Sequence, residues 1–304
     1  MDPNILQVLE IVSAKLIANE IRVRKGRIRY SIPYPGKDDD YDKIKIISKV
    51  RNKKLHGICK IHYSYYDRFD YEDYSRDIIV TFVDGVKHGP YREEGGEEST
   101  IVTCTYENDV LHGAYSKEYG SEDGSDSRHY VNGMKHGSFV HKNTDIVETR
   151  TYNNDLLHGL YLKTKGDKTL IRCHYVNGKK YGAYEENYES GKSYIRAEYY
   201  NDLLQGEYMK FHNNGKLDEF ITRYVDGKKC GAYAVFNKNG DLEFECQYQN
   251  DIKHGICKTY YRMYDIIMEE VYDGGVVTSN NKYSIEPNVL ESILNFLNLT
   301  APEA

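Results

Sequence analysis

Residues 206–230 read GEYMKFHNNGKLDEFITRYVDGKKC, and the fold follows from how this stretch alternates. Glu207 to His212 has the character of a strand, Asn213-Asn214-Gly215 turns, and Lys216 to Tyr224 returns as a second strand before Val225-Asp226-Gly227 turns again. Asn-Gly and Asp-Gly supply the positive φ that tight hairpin turns require. In the returning strand, Phe220, Thr222 and Tyr224 fall on one face and Glu219, Ile221 and Arg223 on the other. Neighbouring stretches repeat the alternation: Phe244-Cys246-Tyr248, Ile195-Ala197-Tyr199, Ile171-Cys173-Tyr175 and Val102-Cys104-Tyr106. Their intervening residues are mostly polar, so the pattern predicts an antiparallel meander with a single packed side.

Outward from this hairpin, a punctuation mark recurs. It stands as His88-Gly89-Pro90-Tyr91, His112-Gly113-Ala114-Tyr115, His136-Gly137-Ser138-Phe139 and His158-Gly159-Leu160-Tyr161. Tyr181-Gly182-Ala183-Tyr184, Gln205-Gly206-Glu207-Tyr208 and Cys230-Gly231-Ala232-Tyr233 lose the histidine and keep the rest. Outer copies at His56-Gly57 and His254-Gly255 carry Cys59 and Cys257 in place of the aromatic. Between Gly89 and Gly255 the glycines advance by 22 to 25 residues, a period that signals a stacked repeat architecture. A second aromatic precedes each glycine by seven residues, from Phe82 and Tyr106 to Tyr224 and Tyr248. The two series predict aromatic ladders along the sheet.

On these residues the chain resembles the MORN-repeat family in its longer variant, with Tyr175-Val176-Asn177-Gly178-Lys179-Lys180-Tyr181-Gly182-Ala183-Tyr184 as the closest copy. The resemblance covers about residues 50–275. It implies a rod of β-hairpins used for scaffolding, self-association or membrane-proximal attachment. The composition is similar to MORN-like proteins of large nucleocytoplasmic DNA viruses, which implies a viral protein of host cytoplasm or virion. Departures are a Tyr-rich insertion from Tyr63 to Arg76 and acidic loops near Glu93–Glu98 and Glu118–Asp126.

Hydrophobic content is 39% and mean hydropathy −0.72, yet the chain holds 31 Tyr, 8 Phe and no Trp. Such a composition suits a thin sheet, where a ring packs while its hydroxyl reaches water. A net charge of −6 argues against nucleic acid as a partner, which favours a basic stripe. No apolar run reaches the ~18 residues of a membrane span, and the first residues lack a signal peptide's basic start and cleavage site. A cytoplasmic protein is expected. Cys104, Cys173 and Cys246 occupy one register, where strand spacing puts equivalent positions roughly 10 Å apart. They are too far apart to bridge, which predicts buried small thiols.

Histidines 56, 88, 112, 136, 158 and 254 share the position before the repeat glycine. At roughly 10 Å between repeats they cannot converge on one zinc, whose ligands lie ~2.0–2.1 Å away. A turn residue bonding the backbone or packing on a tyrosine is expected instead. Gly95-Gly96 sits amid glutamates that would repel phosphate. No catalytic, cofactor-binding or metal site is assigned, and the expectation is a non-enzymatic protein.

The turns before the repeat glycines alternate. Asp84-Gly85-Val86-Lys87, Asn132-Gly133-Met134-Lys135, Asn177-Gly178-Lys179-Lys180 and Asp226-Gly227-Lys228-Lys229 interleave with Asn108-Asp109-Val110-Leu111, Asn154-Asp155-Leu156-Leu157, Asn201-Asp202-Leu203-Leu204 and Asn250-Asp251-Ile252-Lys253. The true period is thus two repeats, 45–49 residues. Ancestral duplication explains this without a function. A recognition edge explains it through Val110, Leu111, Leu156, Leu157, Leu203 and Leu204, since apolar turn residues in series mark interaction sites. The alternative is an anionic-surface or phosphoinositide-binding module using Lys87, Lys135, Lys179, Lys180, Lys228 and Lys229.

The ends differ from the array. Residues 1–20 read as a helix opening at Pro3 and capped by Asp2, with Ile5, Leu6, Leu9, Val12, Leu16 and Ile17 as its apolar stripe. Residues 21–49 read as lead-in strands, 50–278 as the array of about nine repeats, and 279–304 as a C-terminal helix. That helix opens at Glu286-Pro287, and Pro287 to Leu299 resembles the first helix of an F-box, which implies an adaptor or inhibitor that blocks a partner. The expected fold is mostly β: an elongated single-layer antiparallel meander of MORN-like hairpins with short terminal helices. The expected function is a scaffold for protein partners or self-assembly, homodimeric, with possible peripheral membrane contact and no transmembrane segment.

Overall fold

A computed structural model describes residues 3–18, 20–33, 43–67, 72–96, 99–120, 124–261 and 266–284. The chain is mostly β, its strands pair antiparallel in sequence order, and it divides into two compact units, Met1–Leu156 and Leu157–Ala304.

The first unit opens with a helix over Pro3–Ile17. Val8, Leu9, Val12 and Leu16 are buried in one cluster with Ile28, Ile44, Ile46, Ile61 and Ile78 of the first strands. Ile17, expected in the stripe, is 62% exposed, because one residue past Leu16 is about 100° further round the helix. Asp2 lies outside the described residues. Strands Arg27–Pro33 and Lys43–Arg51 form the lead-in pair. Lys54–Asp67 and Glu72–Val83 then pair without a register shift from Gly57↔Phe82 to Asp67↔Glu72. The Tyr-rich insertion therefore lengthens one hairpin and leaves the meander intact.

The second unit runs as successive antiparallel pairs from Gly159–Lys165 to a last strand, Val276–Ser284. That strand extends past position 278, where the expected C-terminal segment was to begin. The expected helix from Glu286, and its F-box-like stretch, lie outside the described residues.

The repeat glycine has a defined task. Val80 pairs with Tyr91 and Phe82 with Lys87, so His88, Gly89 and Pro90 stand opposite Thr81 alone. This bulge holds Gly89 at φ +100°, in a region that other residues avoid. Downstream, the two aromatic series meet edge to face. Ring centroids are 5.8 Å apart in Tyr91–Tyr106, 6.1 Å in Tyr115–Tyr130, 5.5 Å in Tyr184–Tyr199 and 5.5 Å in Tyr233–Tyr248. Such pairs contribute about 0.5–1.5 kcal/mol each beyond the area they bury.

Two expectations are corrected. Phe220, Thr222 and Tyr224 do not share a face. Tyr208 pairs with Ile221 and Gly206 with Tyr224, so Thr222 and Arg223 together oppose Glu207. The extra residue of the 25-residue spacing from Gly206 to Gly231 sits in this bulge. It turns Ile221 towards the rings, fully buried, and sends Phe220 to the opposite face. There Phe220 clusters with Ala232, Ala234, Leu242, Tyr260 and Ile267, so this unit buries residues on both sides.

The second correction concerns sulfur. Cys59, Cys104 and Cys173 are buried free thiols and Cys230 is a half-buried one, but Cys246 is bonded to Cys257 with Cα atoms 4.1 Å apart. Equivalent registers cannot bridge, but these two are not equivalent. Tyr115 lies directly across from Cys104, and Cys257 stands at Tyr115's position in its own repeat, so two sulfurs meet there.

Candidate protein-interaction edge

Every repeat turn uses two successive positive-φ residues, for example Asn108 (51°) and Asp109 (66°), or Asn177 (49°) and Gly178 (83°). Both turn types are therefore the same hairpin turn, and their difference lies in side chains. Within each unit the turns are hydrogen-bonded in a row. The N–H of the second turn residue donates to a carbonyl of the preceding turn: Asp109 to Lys87 (2.9 Å) and Gly133 to Leu111 (2.8 Å) in the first unit. Asp202 to Lys180 (3.1 Å) and Gly227 to Leu204 (2.9 Å) do the same in the second.

The alternation has a physical basis in these contacts. In the Asn-Asp turns, the aspartate Oδ1 reaches back and accepts the N–H of the preceding lysine. Asp109 takes Lys87 at 2.9 Å, Asp155 takes Lys135 at 2.8 Å, Asp202 takes Lys180 at 2.7 Å and Asp251 takes Lys229 at 2.8 Å. The residue before the repeat glycine reaches forward. His56, His112, His158 and Gln205 accept the N–H of Asp84, Asn132, Asn177 and Asp226 respectively. The apolar side chain lies over the next turn, closely at two of its glycines and in ordinary contact at Gly227, where a Cβ would stand 3.4 Å from Leu203 Cδ2. A Cβ on Gly133 would stand 2.7 Å from Val110 Cγ1, and one on Gly275 3.1 Å from Ile252 Cγ2.

Of the residues expected to form a recognition edge, the first of each pair faces solvent: Val110 is 41%, Leu156 50% and Leu203 46% exposed. Leu111, Leu157 and Leu204 are half-buried. Met134 and Ile252, at 38% and 48%, belong with the exposed set. Their turn position, equivalent to that of Val110, Leu156 and Leu203, is the signal in the sequence that marks them.

The lysines divide likewise. Lys87 Nζ lies 4.6 Å from the Tyr106 ring centroid, Lys135 5.3 Å from Tyr152, Lys180 4.6 Å from Tyr184 and Lys229 4.3 Å from Tyr233. These four stack on the aromatic ladders as cation–π pairs. Lys179 and Lys228 stay exposed.

A cavity of about 340 Å³ opens in the first unit, lined by Tyr91, Glu93, Cys104, Tyr106, Tyr115 and Lys117 among others. Arg76 donates to the buried Glu93 at 2.8 Å, and Tyr91 donates to the same carboxylate. Burial pushes the Cys104 thiol up to about 11, so it is protonated at neutral pH and a poor nucleophile. Nearby, Asp126 accepts from Arg128 (2.8 Å) and meets His141 Nδ1 at 2.7 Å. Burial alone would raise the Asp126 pKa, but these partners outweigh it and hold it below the usual value. Among the described residues no group of three His, Cys, Asp or Glu is placed to hold a metal. No helix among them is long and apolar enough to cross a membrane.

No protein-family model matches this chain, and no curated protein matches it in sequence.

Proposed function

We propose that the chain is a non-catalytic MORN-type scaffold that presents its turn edge to protein partners or to a second copy of itself. As a viral structural or host-interaction protein it would work in the host cytoplasm or the virion. One observation carries this reading: exposed aliphatic side chains recur at one turn position on a backbone fixed by turn-to-turn hydrogen bonds. Within each unit, apolar anchors held on hydrogen-bonded turns bind without first being ordered. The test is Val110→Ser, Leu156→Ser, Leu203→Ser and Ile252→Ser combined, with sedimentation and partner capture compared with wild type. A folded variant with lost association supports the reading, and a folded variant with unchanged association sinks it.

A second reading, binding to an anionic surface, draws on Lys179 and Lys228, which stand exposed in the same row. The other four candidate lysines are taken up by tyrosine rings, which makes it the weaker reading. Salt-sensitive binding to phosphatidylserine vesicles, lost in Lys179→Gln with Lys228→Gln, would favour it. No binding at low salt excludes it.

A further inference from the structure

The lining of the cavity in the first unit has an order that the strand register sets. Four strands contribute: Glu72–Val83, Val86–Gly95, Thr100–Glu107 and Val110–Glu118. Arg76, Gly95 and Thr100 stand opposite one another at one end. Glu93, Val102 and Lys117 form the next row and Tyr91, Cys104 and Tyr115 the third. Tyr106 pairs with Leu111 at the far end. Side chains from all four rows line the space. The cavity is therefore charged at one end and aromatic to aliphatic at the other.

The charged end is held in place. Glu93 is 6% exposed, and Arg76 and Tyr91 both donate to it. Gly96 gives the guanidinium its seat, since a Cβ there would overlap Nη2. Burying such a pair carries a desolvation cost that packed apolar residues would avoid. Lys117 is a second cation. Its ammonium lies 4.4 Å from the Tyr119 ring centroid. Asp126, its cross-strand neighbour, is bonded to Arg128 and His141 instead. Two cations facing one carboxylate leave a single positive charge in excess among the residues that line the cavity. Burial pushes the pKa of Tyr91, Tyr106 and Tyr115 up, so their hydroxyls stay neutral donors.

We propose that this cavity binds a small aromatic monocarboxylate, with its carboxylate at Arg76, Thr100 and Lys117 and its ring against Tyr115, Tyr106 and Leu111. The inference stands independently of the scaffold reading. One excess positive charge matches one carboxylate, and a planar guanidinium beside an ammonium suits its two oxygens. The opposite end takes a flat ring in offset or edge-to-face contact. The volume of about 340 Å³ falls in the range of ligand pockets. An apolar cavity of roughly 150 Å³ already takes benzene, so a fused bicycle with a head group fits here. An ammonium ligand, which tyrosine rings also attract, would be repelled by Arg76 and Lys117.

The test is fluorescence anisotropy of 2-naphthoate titrated with the full chain, whose lack of tryptophan leaves the probe's emission clear. Saturable binding is expected, about ten-fold or more tighter than that of 2-naphthalenemethanol, with none for 2-naphthylmethylamine. Lys117→Gln should weaken naphthoate about ten-fold and leave the alcohol unchanged, a split that loss of the fold would not produce. Val102→Phe fills the middle of the cavity and should abolish binding of both. Lys142→Gln removes an exposed lysine elsewhere on the unit and should change nothing. Absent binding to wild type, or alcohol or amine bound as tightly as the acid, would overturn the proposal. So would full naphthoate affinity in folded Lys117→Gln or folded Val102→Phe.

Discussion

Asp202 is the sharpest place to test the turn ladder, because its carboxylate and its backbone do different jobs. The residue sits at φ +68°, and its Oδ1 accepts the Lys180 N–H at 2.7 Å. Replacing it with alanine removes that bond, worth about 1 kcal/mol net. It also places an ordinary side chain in the left-handed region, costing about another 1 kcal/mol. Asp202→Gly removes the same bond but relieves the backbone by a similar amount, so it should lie within about 1 kcal/mol of wild type. Alanine should therefore lose about 2 kcal/mol, and glycine much less. For a unit of this size the alanine loss lowers Tm by about 4–8 °C. Thermal unfolding followed by circular dichroism measures the global effect, and amide exchange the local one. In both variants the Lys180 amide should exchange faster, while Lys135, held by its own Asp155, stays protected. Equal losses for alanine and glycine would refute the positive-φ account. An unchanged Lys180 exchange rate in both would refute the side-chain clasp.

Two further perturbations reach other parts of the fold. Cys246 and Cys257 are bonded at a separation of 11 residues, and closing so short a loop is worth about 3 kcal/mol. Reductant should lower the Tm of wild type and leave Cys246→Ser with Cys257→Ser unaffected, and alkylation of the unreduced, unfolded chain should label four of its six cysteines. Six labelled thiols in protein isolated without reductant would instead place the chain in a reducing compartment, in line with the cytoplasmic expectation. Asp126 gives a pH signature. Its carboxyl titrates below its ordinary value in the folded chain. Its stabilisation is thus complete above the unfolded carboxylate range and fades as pH falls through that range and below. Urea unfolding of Asp126→Asn should show a shallower loss of stability between neutral and acid pH than wild type, and parallel profiles would contradict the His141–Arg128 pairing.

The meander was legible because its signals are local. Asn-Gly and Asp-Gly turns, period-two alternation and the seven-residue offset between aromatic and glycine each act within one hairpin. What the sequence hid depends on contacts between hairpins. The two-residue bulge at Thr222-Arg223 puts Phe220 on the far face, and nothing in the local alternation marks it except one extra residue in the spacing. The Cys246–Cys257 bond is invisible to a rule on equivalent registers, because it joins an aromatic position to its cross-strand neighbour. The turn leucines were half legible. Their exposure alternates within each pair, a consequence of strand geometry that the turn motif alone does not show.

Side-chain contacts between turns also change how the two-repeat period is to be understood. The Asn-Asp turns reach back through aspartate, at Val110, Leu203 and Ile252 lay an aliphatic side chain over the glycine of the following turn, and after Asn108, Asn154 and Asn201 reach forward through histidine or glutamine. A glycine turn does none of these and accepts all of them. A turn of one kind therefore creates the conditions for the other kind beside it, and two identical neighbours would either clash, as Val110 would with a Cβ on Gly133, or leave donors unpaired. Duplication of a two-repeat unit preserves this complementarity, whereas insertion of a single repeat breaks it, so the alternation is maintained by packing whatever its origin. That leaves little freedom in most turn positions for reading a partner. The aspartates, histidines, glycines and stacked lysines are committed to the ladder, and only the outward aliphatic residues and outright departures from the pattern are free to vary with a ligand. Tyr181 is such a departure. It follows a glycine turn, where its sister copies carry His88, His136 and Cys230, and its ring lies exposed beside that of Tyr200.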